Sequence, residues 1–141
     1  MKYIAVAALA LASTMTVFAG QSIIPAGAKI YVTDLNGLGP YLKAELIKKH
    51  IPVSVVDEES SAEYVISGEG DHPNRTWHDG WLTRKQEATG AIEVHDVKSK
   101  QMVWASEAGD RNMWVGAWAR DGYRKVADRL ASNIAKIVAK P

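Results

Sequence analysis

The stretch "IYVTDLNGLGPYLKAELIKKHIPVSVVD", residues 30–57, decides the fold. Its first residues alternate in the way a strand does, Pro40 fits the first turn of a helix, and Pro52 prevents that helix from continuing into "VSVVD". An apolar stripe runs along the helix through Leu38, Leu42, Leu46 and Ile47. Strand, helix and strand in this order predict a βαβ unit with two parallel strands.

The link "DLNGLG", residues 34–39, lies where a glycine-rich phosphate loop would lie, between a strand and a helix. The third glycine and the long spacing of a dinucleotide fingerprint are missing, however. The link is therefore interpreted as a turn and a helix start, with Asp34 as a turn or capping residue.

Three further strands and a helix follow this unit. The strands are "EYVISGEGD", "EATGAIEVHDV" and "QMVWASEAG", and the last two form an antiparallel hairpin through "KSK". The chain ends in "GYRKVADRLASNIAKIVAK", which places Tyr123, Val126, Ala127, Leu130, Ile134, Ile137 and Val138 on one helical face. The order β-α-β-β-β-β-α predicts an α/β (α+β) domain, a mixed sheet of about five strands with both helices on one face.

The hairpin also suggests a register. If Val94 pairs with Val103, and Ile92 with Ala105, these side chains face the helices and Trp104 faces away from them. A tryptophan on an uncovered sheet face favours a binding partner. The other interpretation, that a loop or the amino terminus of the chain shields it, is left open.

The amino-terminal residues have the layout of a signal peptide. Lys2 precedes an apolar run of about ten residues, too short to span a membrane, and small residues end at Ala19. We expect a signal peptide at 1–19 and one mature domain at 20–141, soluble and periplasmic or secreted. An uncleaved anchor is the alternative.

Composition excludes several classes of protein. The chain has no cysteine, which excludes a disulfide framework, a cysteine metal site and a cysteine-linked lipid anchor. Its formal net charge is +1, so no basic field for nucleic acid is expected. Nucleophile elbows, zinc helices and phosphate loops are not recognisable in it, and we expect no cofactor and no enzyme.

The strand and turn patterns quoted above, including "AEYVISGEG" and "GAIEVHDVKSKQMVWASEAG", resemble a recurring pattern of small exported bacterial proteins of uncharacterised function, seen for example in acidobacteria. At the level of the fold, the chain is similar to the periplasmic domains of the curli secretion channel, the TolB amino-terminal domain and the lipoprotein activators of penicillin-binding proteins. The turn "DVKSKQ" lacks the glycine usual in that pattern. The resemblance implies a non-enzymatic module that binds another envelope component.

Two segments rich in tryptophan and arginine are expected at one end of the sheet. They are "HPNRTWHDGW", residues 72–81, and "DRNMWVGAWARDG", residues 110–122, and antiparallel strands bring both to the same end. The candidate partner- or ligand-binding residues are Trp77, Trp81, Arg84, Arg111, Trp114 and Trp118, together with Trp104.

Three interpretations of these residues compete. The tryptophans close the core, or they form a protein-binding or self-association surface, or they bind a glycan or small molecule. A further alternative is a periplasmic hydrolase or metal-binding protein that uses His72, His78 and Asp79, although their spacing is weak evidence for a metal site.

Overall fold

The computed structural model describes residues 22–71, 88–109 and 122–141. Within these ranges the elements occur in the predicted order. They are β1 (Ala28–Val32), α1 (Gly39–Lys48), β2 (Val53–Val56), β3 (Tyr64–Asp71), β4 (Thr89–Asp96), β5 (Gln101–Gly109) and α2 (Gly122–Ala135).

The five strands form one mixed sheet in the order β2-β1-β3-β4-β5. Both β2 and β3 pair with β1 in parallel, which confirms the predicted βαβ unit. The hairpin of β4 and β5 is antiparallel, as is the pair of β3 and β4. Among the described strands, only β4 is therefore antiparallel to the rest, and β2 and β5 are the edge strands.

Helices α1 and α2 pack on one face of the sheet and enclose the core with it, as predicted. Leu38, Leu42 and Leu46 are fully buried, but Ile47 is 65% exposed, so its predicted place in the apolar stripe is wrong. Each helical residue is rotated about 100° from the one before it, which turns Ile47 off the face that Leu46 buries. Among the described residues, no helix is long and apolar enough to cross a membrane.

The apolar face predicted for α2 is confirmed, because Val126, Leu130 and Ile134 are fully buried. The helix ends at Ala135, before the pattern does. Val138 continues the buried surface outside the helix, where it forms a parallel bridge with Ile24. This bridge joins the segment that enters β1 to the segment that leaves α2.

The link between β1 and α1 is a turn, as predicted. Asp34 accepts a hydrogen bond from the backbone nitrogen of Gly37 through its side chain at 3.0 Å, which confirms its capping role. Leu35 and Asn36 have positive φ angles of 51° and 54°, which let the chain reverse tightly before the helix begins at Gly39.

The predicted hairpin register is wrong by one residue over most of its length. Val94 pairs with Trp104, and Ile92 pairs with Ser106. Residues directly opposite each other share a face, so Trp104 lies on the helix side, where it packs half-buried against the core. Asn133 of α2 confirms this orientation, because its side chain donates a hydrogen bond to the Ser106 hydroxyl at 3.0 Å.

A β-bulge causes the shift. His95 pairs with Met102 and Val94 with Trp104, which leaves Val103 as the extra residue. Past the bulge, the residues of β5 exchange faces relative to a regular ladder.

The hairpin turn provides a first prediction. Lys100 occupies the left-handed region, with a φ of 57°, at the position where the related pattern carries glycine. Lys100→Gly should raise the free energy of unfolding by roughly 0.5–1 kcal/mol, because glycine relieves the backbone strain while losing more entropy on folding. Denaturant unfolding measures this change.

The neighbouring turn residue provides the control. Lys98→Gly makes the same substitution at a position without a positive φ, and it should lower stability by about 0.5 kcal/mol. Equal losses in both variants would show that the strain at Lys100 contributes nothing.

Candidate functional site

A cleft lies where β3 ends, β4 begins and β5 ends. It has a volume of about 710 Å³. Its lining residues are Asn36, Glu69, Gly70, Asp71, Thr89, Gly90, Ala91, Glu107, Ala108 and Gly109. The register brings the strand ends together, since Asp71 pairs with Thr89 and Thr89 with Gly109.

The floor of the cleft is almost bare backbone. Gly70 pairs with Gly90, and Gly90 pairs with Ala108, so three strands contribute only one methyl group to this row. A Cβ atom on Gly90 would lie 2.7 Å from Leu38 Cδ2 and 2.9 Å from Val126 Cγ1. The glycines thus let the helices pack closely on this end of the sheet.

One rim of the cleft is held by hydrogen bonds between three elements. The Asn36 side chain donates to the carbonyl oxygen of Gly70 at 3.3 Å, and the Tyr123 hydroxyl donates to the carbonyl oxygen of Asn36 at 3.1 Å. Burial raises the pKa of the Tyr123 phenol, and the Asp71 and Asp34 carboxylates raise it further. The phenol is therefore a neutral hydrogen-bond donor at physiological pH.

The other side of the cleft carries carboxylates. Glu69, Ala91 and Glu107 lie opposite one another on neighbouring strands, and their side chains share the face away from the helices. Adjacent strands are about 4.8 Å apart, which places the backbones of the two glutamates about 10 Å apart. Asp71 adds a third acidic side chain, so the cleft favours positively charged groups over anions.

The described residues of this cleft do not form a metal centre. In residues 22–71, 88–109 and 122–141, no group of three or more His, Cys, Asp or Glu side chains is arranged to hold a metal ion. His95 lies elsewhere on the sheet, where its Nε2 atom is 3.1 Å from Glu93 Oε2.

Most of the residues predicted to bind a partner fall outside the described ranges. This holds for Trp77, Trp81, Arg84, Arg111, Trp114 and Trp118, and equally for His72, His78 and Asp79. Their roles remain predictions. The predicted antiparallel strand directions are confirmed, and Asp71 and Gly109, where the two tryptophan-rich segments begin, lie together at the cleft.

Trp104 is the one predicted binding residue within the described ranges. It lies on the helix face of β5 and packs against the core. It does not lie on the open sheet face, and the structure does not bring it to the cleft lining. Its partly exposed surface belongs to the β5 edge.

Sequence reasoning did not find the glycine floor of the cleft. The signal is visible in "SGEGD" and "ATGA", which place glycines inside strands, where they weaken the strand unless another group approaches closely. Which glycines meet across the sheet depends on the register.

Neither a protein family nor a curated protein matches the sequence, so the resemblance to acidobacterial-type proteins gains no support. Solved structures do match. A single-substitution variant of the PelC dodecamer from Paraburkholderia phytofirmans superposes with a TM-score of 0.57 at 21% identity, covering 86% of this chain and 96% of that one.

A second crystal form of the PelC dodecamer gives a TM-score of 0.54 at 20% identity, over 86% of this chain and 94% of that one. TolB from Acinetobacter baumannii matches 77% of this chain and 28% of its own length, with a TM-score of 0.46 and 14% identity, and is too distant to support an inference. At these identities the PelC match establishes a shared fold.

Proposed function

We propose that the chain is an exported, non-catalytic binding module of the bacterial cell envelope, and that it associates with copies of itself. The observation that carries this proposal is the fold shared with PelC over nearly the whole length of both chains, since the matched PelC structures are dodecamers.

Export is supported by the amino-terminal sequence. Lys2, the short apolar run and the small residues before Gly20 match a cleavable signal peptide. A binding role is supported by the absence of recognisable catalytic motifs from the sequence and by its tryptophan- and arginine-rich segments, because these two residue types dominate protein contacts.

One experiment tests export and self-association together. The full 141-residue chain is expressed in a bacterium with two membranes, recovered after fractionation of periplasm and cytoplasm, and analysed by native mass spectrometry and sedimentation velocity. We expect a periplasmic product that has lost residues 1–19 and forms assemblies larger than one chain.

A cytoplasmic product of unprocessed mass would contradict export. A processed product that stays monomeric up to about 100 μM, a concentration at which weak protein pairs associate, would contradict self-association.

A further inference from the structure

The side of the sheet away from the helices carries a row of apolar and weakly polar side chains across β3, β4 and β5. Val65 pairs with His95, and His95 pairs with Met102, so these three side chains lie side by side. They point away from the helices, because the neighbouring residue Val94 is fully buried in the core and successive residues of a strand alternate between faces. Met102 is 56% exposed, so the row reaches the surface at the β5 edge.

Carboxylates border this row on one side. The Glu93 side chain is 52% exposed, and its Oε2 atom lies 3.1 Å from His95 Nε2. Glu69 and Glu107 follow on the neighbouring strands, on the same face. Strands β3, β4 and β5 contain no lysine or arginine over the lengths that the structure describes. The sheet patch, as we name this acidic surface, consists of Val65, His95, Met102, Glu69, Glu93 and Glu107.

The acidic character ends at β1. Lys29 is exposed on the same face of the sheet, because its neighbours Ala28 and Ile30 are buried against the helices. Lys43 reaches the next residue on this face, since its Nζ atom lies 5.8 Å from the centre of the Tyr31 ring. The sheet patch is therefore confined to β3, β4 and β5.

The opposite side of the domain has an exposed apolar row of its own, on α1. Tyr41, Ala44 and Ile47 follow one another at a spacing of three residues, which makes them neighbours on the helix surface. All three are exposed, Tyr41 by 41% and Ile47 by 65%. Lys48 lies four residues after Ala44 and borders this row, with a side chain that is 75% exposed. The helix patch consists of Tyr41, Ala44, Ile47 and Lys48.

The carboxylates of the two helices are engaged with cations. Glu45 Oε1 lies 3.3 Å from Lys48 Nζ, and Asp128 Oδ1 lies 2.7 Å from Lys49 Nζ. Over their described lengths, α1 and α2 contain no other aspartate or glutamate. These two pairs therefore balance the charges of Lys48 and Lys49, and any further cation makes the helix side positive.

Helix α2 supplies such cations next to the helix patch. Arg124 is exposed and directly follows Tyr123, whose ring lies 6.1 Å from the Tyr41 ring. Lys125 and Arg129 follow on the same helix. The helix side thus has a net positive charge, opposite in sign to the sheet patch.

This separation of charge selects how copies of the chain can associate. Two sheet patches in contact would bring carboxylates together, and two helix patches would bring cations together. The sheet patch of one copy against the helix patch of the next brings unlike charges together and covers exposed apolar side chains on both. A contact between two different surfaces leaves one of each available, so further copies add until the assembly closes or continues as a filament.

We propose that copies of this chain stack head to tail, with the sheet patch of one copy against the helix patch of the next. The inference rests on the proposed self-association and names the two surfaces that carry it. Because the attraction is between charged groups near the surface, the association should weaken as the salt concentration rises.

Reversing the charge of one patch at a time tests this stacking. The sheet variant carries Glu93→Lys and Glu107→Lys, and the helix variant carries Lys48→Glu and Arg124→Glu. Each variant alone has like charges on both surfaces, so sedimentation velocity at low salt should give a Kd at least roughly tenfold higher than wild type.

Mixing the two variants should restore the association. The positive sheet patch of the sheet variant fits the negative helix side of the helix variant, and the remaining surfaces of the two variants also have opposite charges. Native mass spectrometry of an equimolar mixture should therefore find assemblies that contain both variants in equal numbers.

A matched control changes charge outside both patches. Lys98→Glu with Lys100→Glu alters the net charge as much as the helix variant does, but in the turn between β4 and β5, and should leave the association unchanged. Thermal unfolding followed by circular dichroism checks that every variant is folded.

The outcomes separate the two proposals. If wild type associates but either variant alone associates equally well, or the mixture fails to assemble, head-to-tail stacking is wrong and self-association stands. An unaffected helix variant would mean that another surface occupies the sheet patch. If wild type is monomeric throughout, both proposals are wrong.

Discussion

Gly68→Ala is expected to lower the free energy of unfolding by roughly 3 kcal/mol or more. Gly68 lies within β3 and has a φ of +140°, a conformation that residues with a side chain rarely adopt. A Cβ atom there would also collide with the carbonyl oxygen of Ala91 and lie 2.9 Å from the Cα atom of Ile92, both in β4. Because these are backbone atoms of a paired strand, they cannot move without breaking the ladder between β3 and β4.

Gly27→Ala separates strain from collision. Gly27 also has a positive φ, +78°, but nothing lies within 4 Å of the position its Cβ would occupy. We expect this variant to lose about 1 kcal/mol, from backbone strain alone. Urea unfolding of both variants measures the difference, and equal losses would show that the approach of β4 to Gly68 imposes no steric limit.

Leu46→Ala is expected to cost about 2–5 kcal/mol, the range found when a buried leucine is truncated and leaves a cavity. Leu46 is 1% exposed and contributes to the core between α1 and the sheet. The same unfolding experiment measures this loss.

The next residue provides the matched control. Ile47→Ala should change stability by less than about 0.5 kcal/mol, since the side chain is 65% exposed. The measurement belongs at a few μM protein, where pairing between copies does not contribute to apparent stability. A large loss in Ile47→Ala would mean that Ile47 belongs to the core, as the sequence pattern suggested.

These residues show how far the sequence determines the fold. Element order and the two helical faces follow from the spacing of apolar residues, because burial repeats with the period of each element. The prediction for Ile47 was wrong because Ile47 lies five residues after Leu42, close to the spacing of four that separates the buried leucines. The one additional residue rotates Ile47 away from the sheet. Both strand directions of the hairpin followed from its short turn.

The register of the hairpin could not be predicted from alternation. The pair "VW" at residues 103–104 is apolar at both positions, so the sequence does not show which of them a bulge displaces. That single extra residue decides that Trp104 contacts the core. For the same reason the glycine floor of the cleft was missed, because it exists only where Gly70, Gly90 and Ala108 meet across three strands.

The bridge between Ile24 and Val138 fixes how this domain can be held. Backbone hydrogen bonds, including one from the Ala139 nitrogen to the Ile24 oxygen at 2.8 Å, join the segment before β1 to the segment after α2. They do so beside the start of β1, whereas Asn36, just beyond its far end, lines the cleft. A tether attached before Ile24 or after Ala139 therefore holds the domain at the same end of the sheet. Immobilisation through either tether leaves the cleft at the end away from the supporting surface.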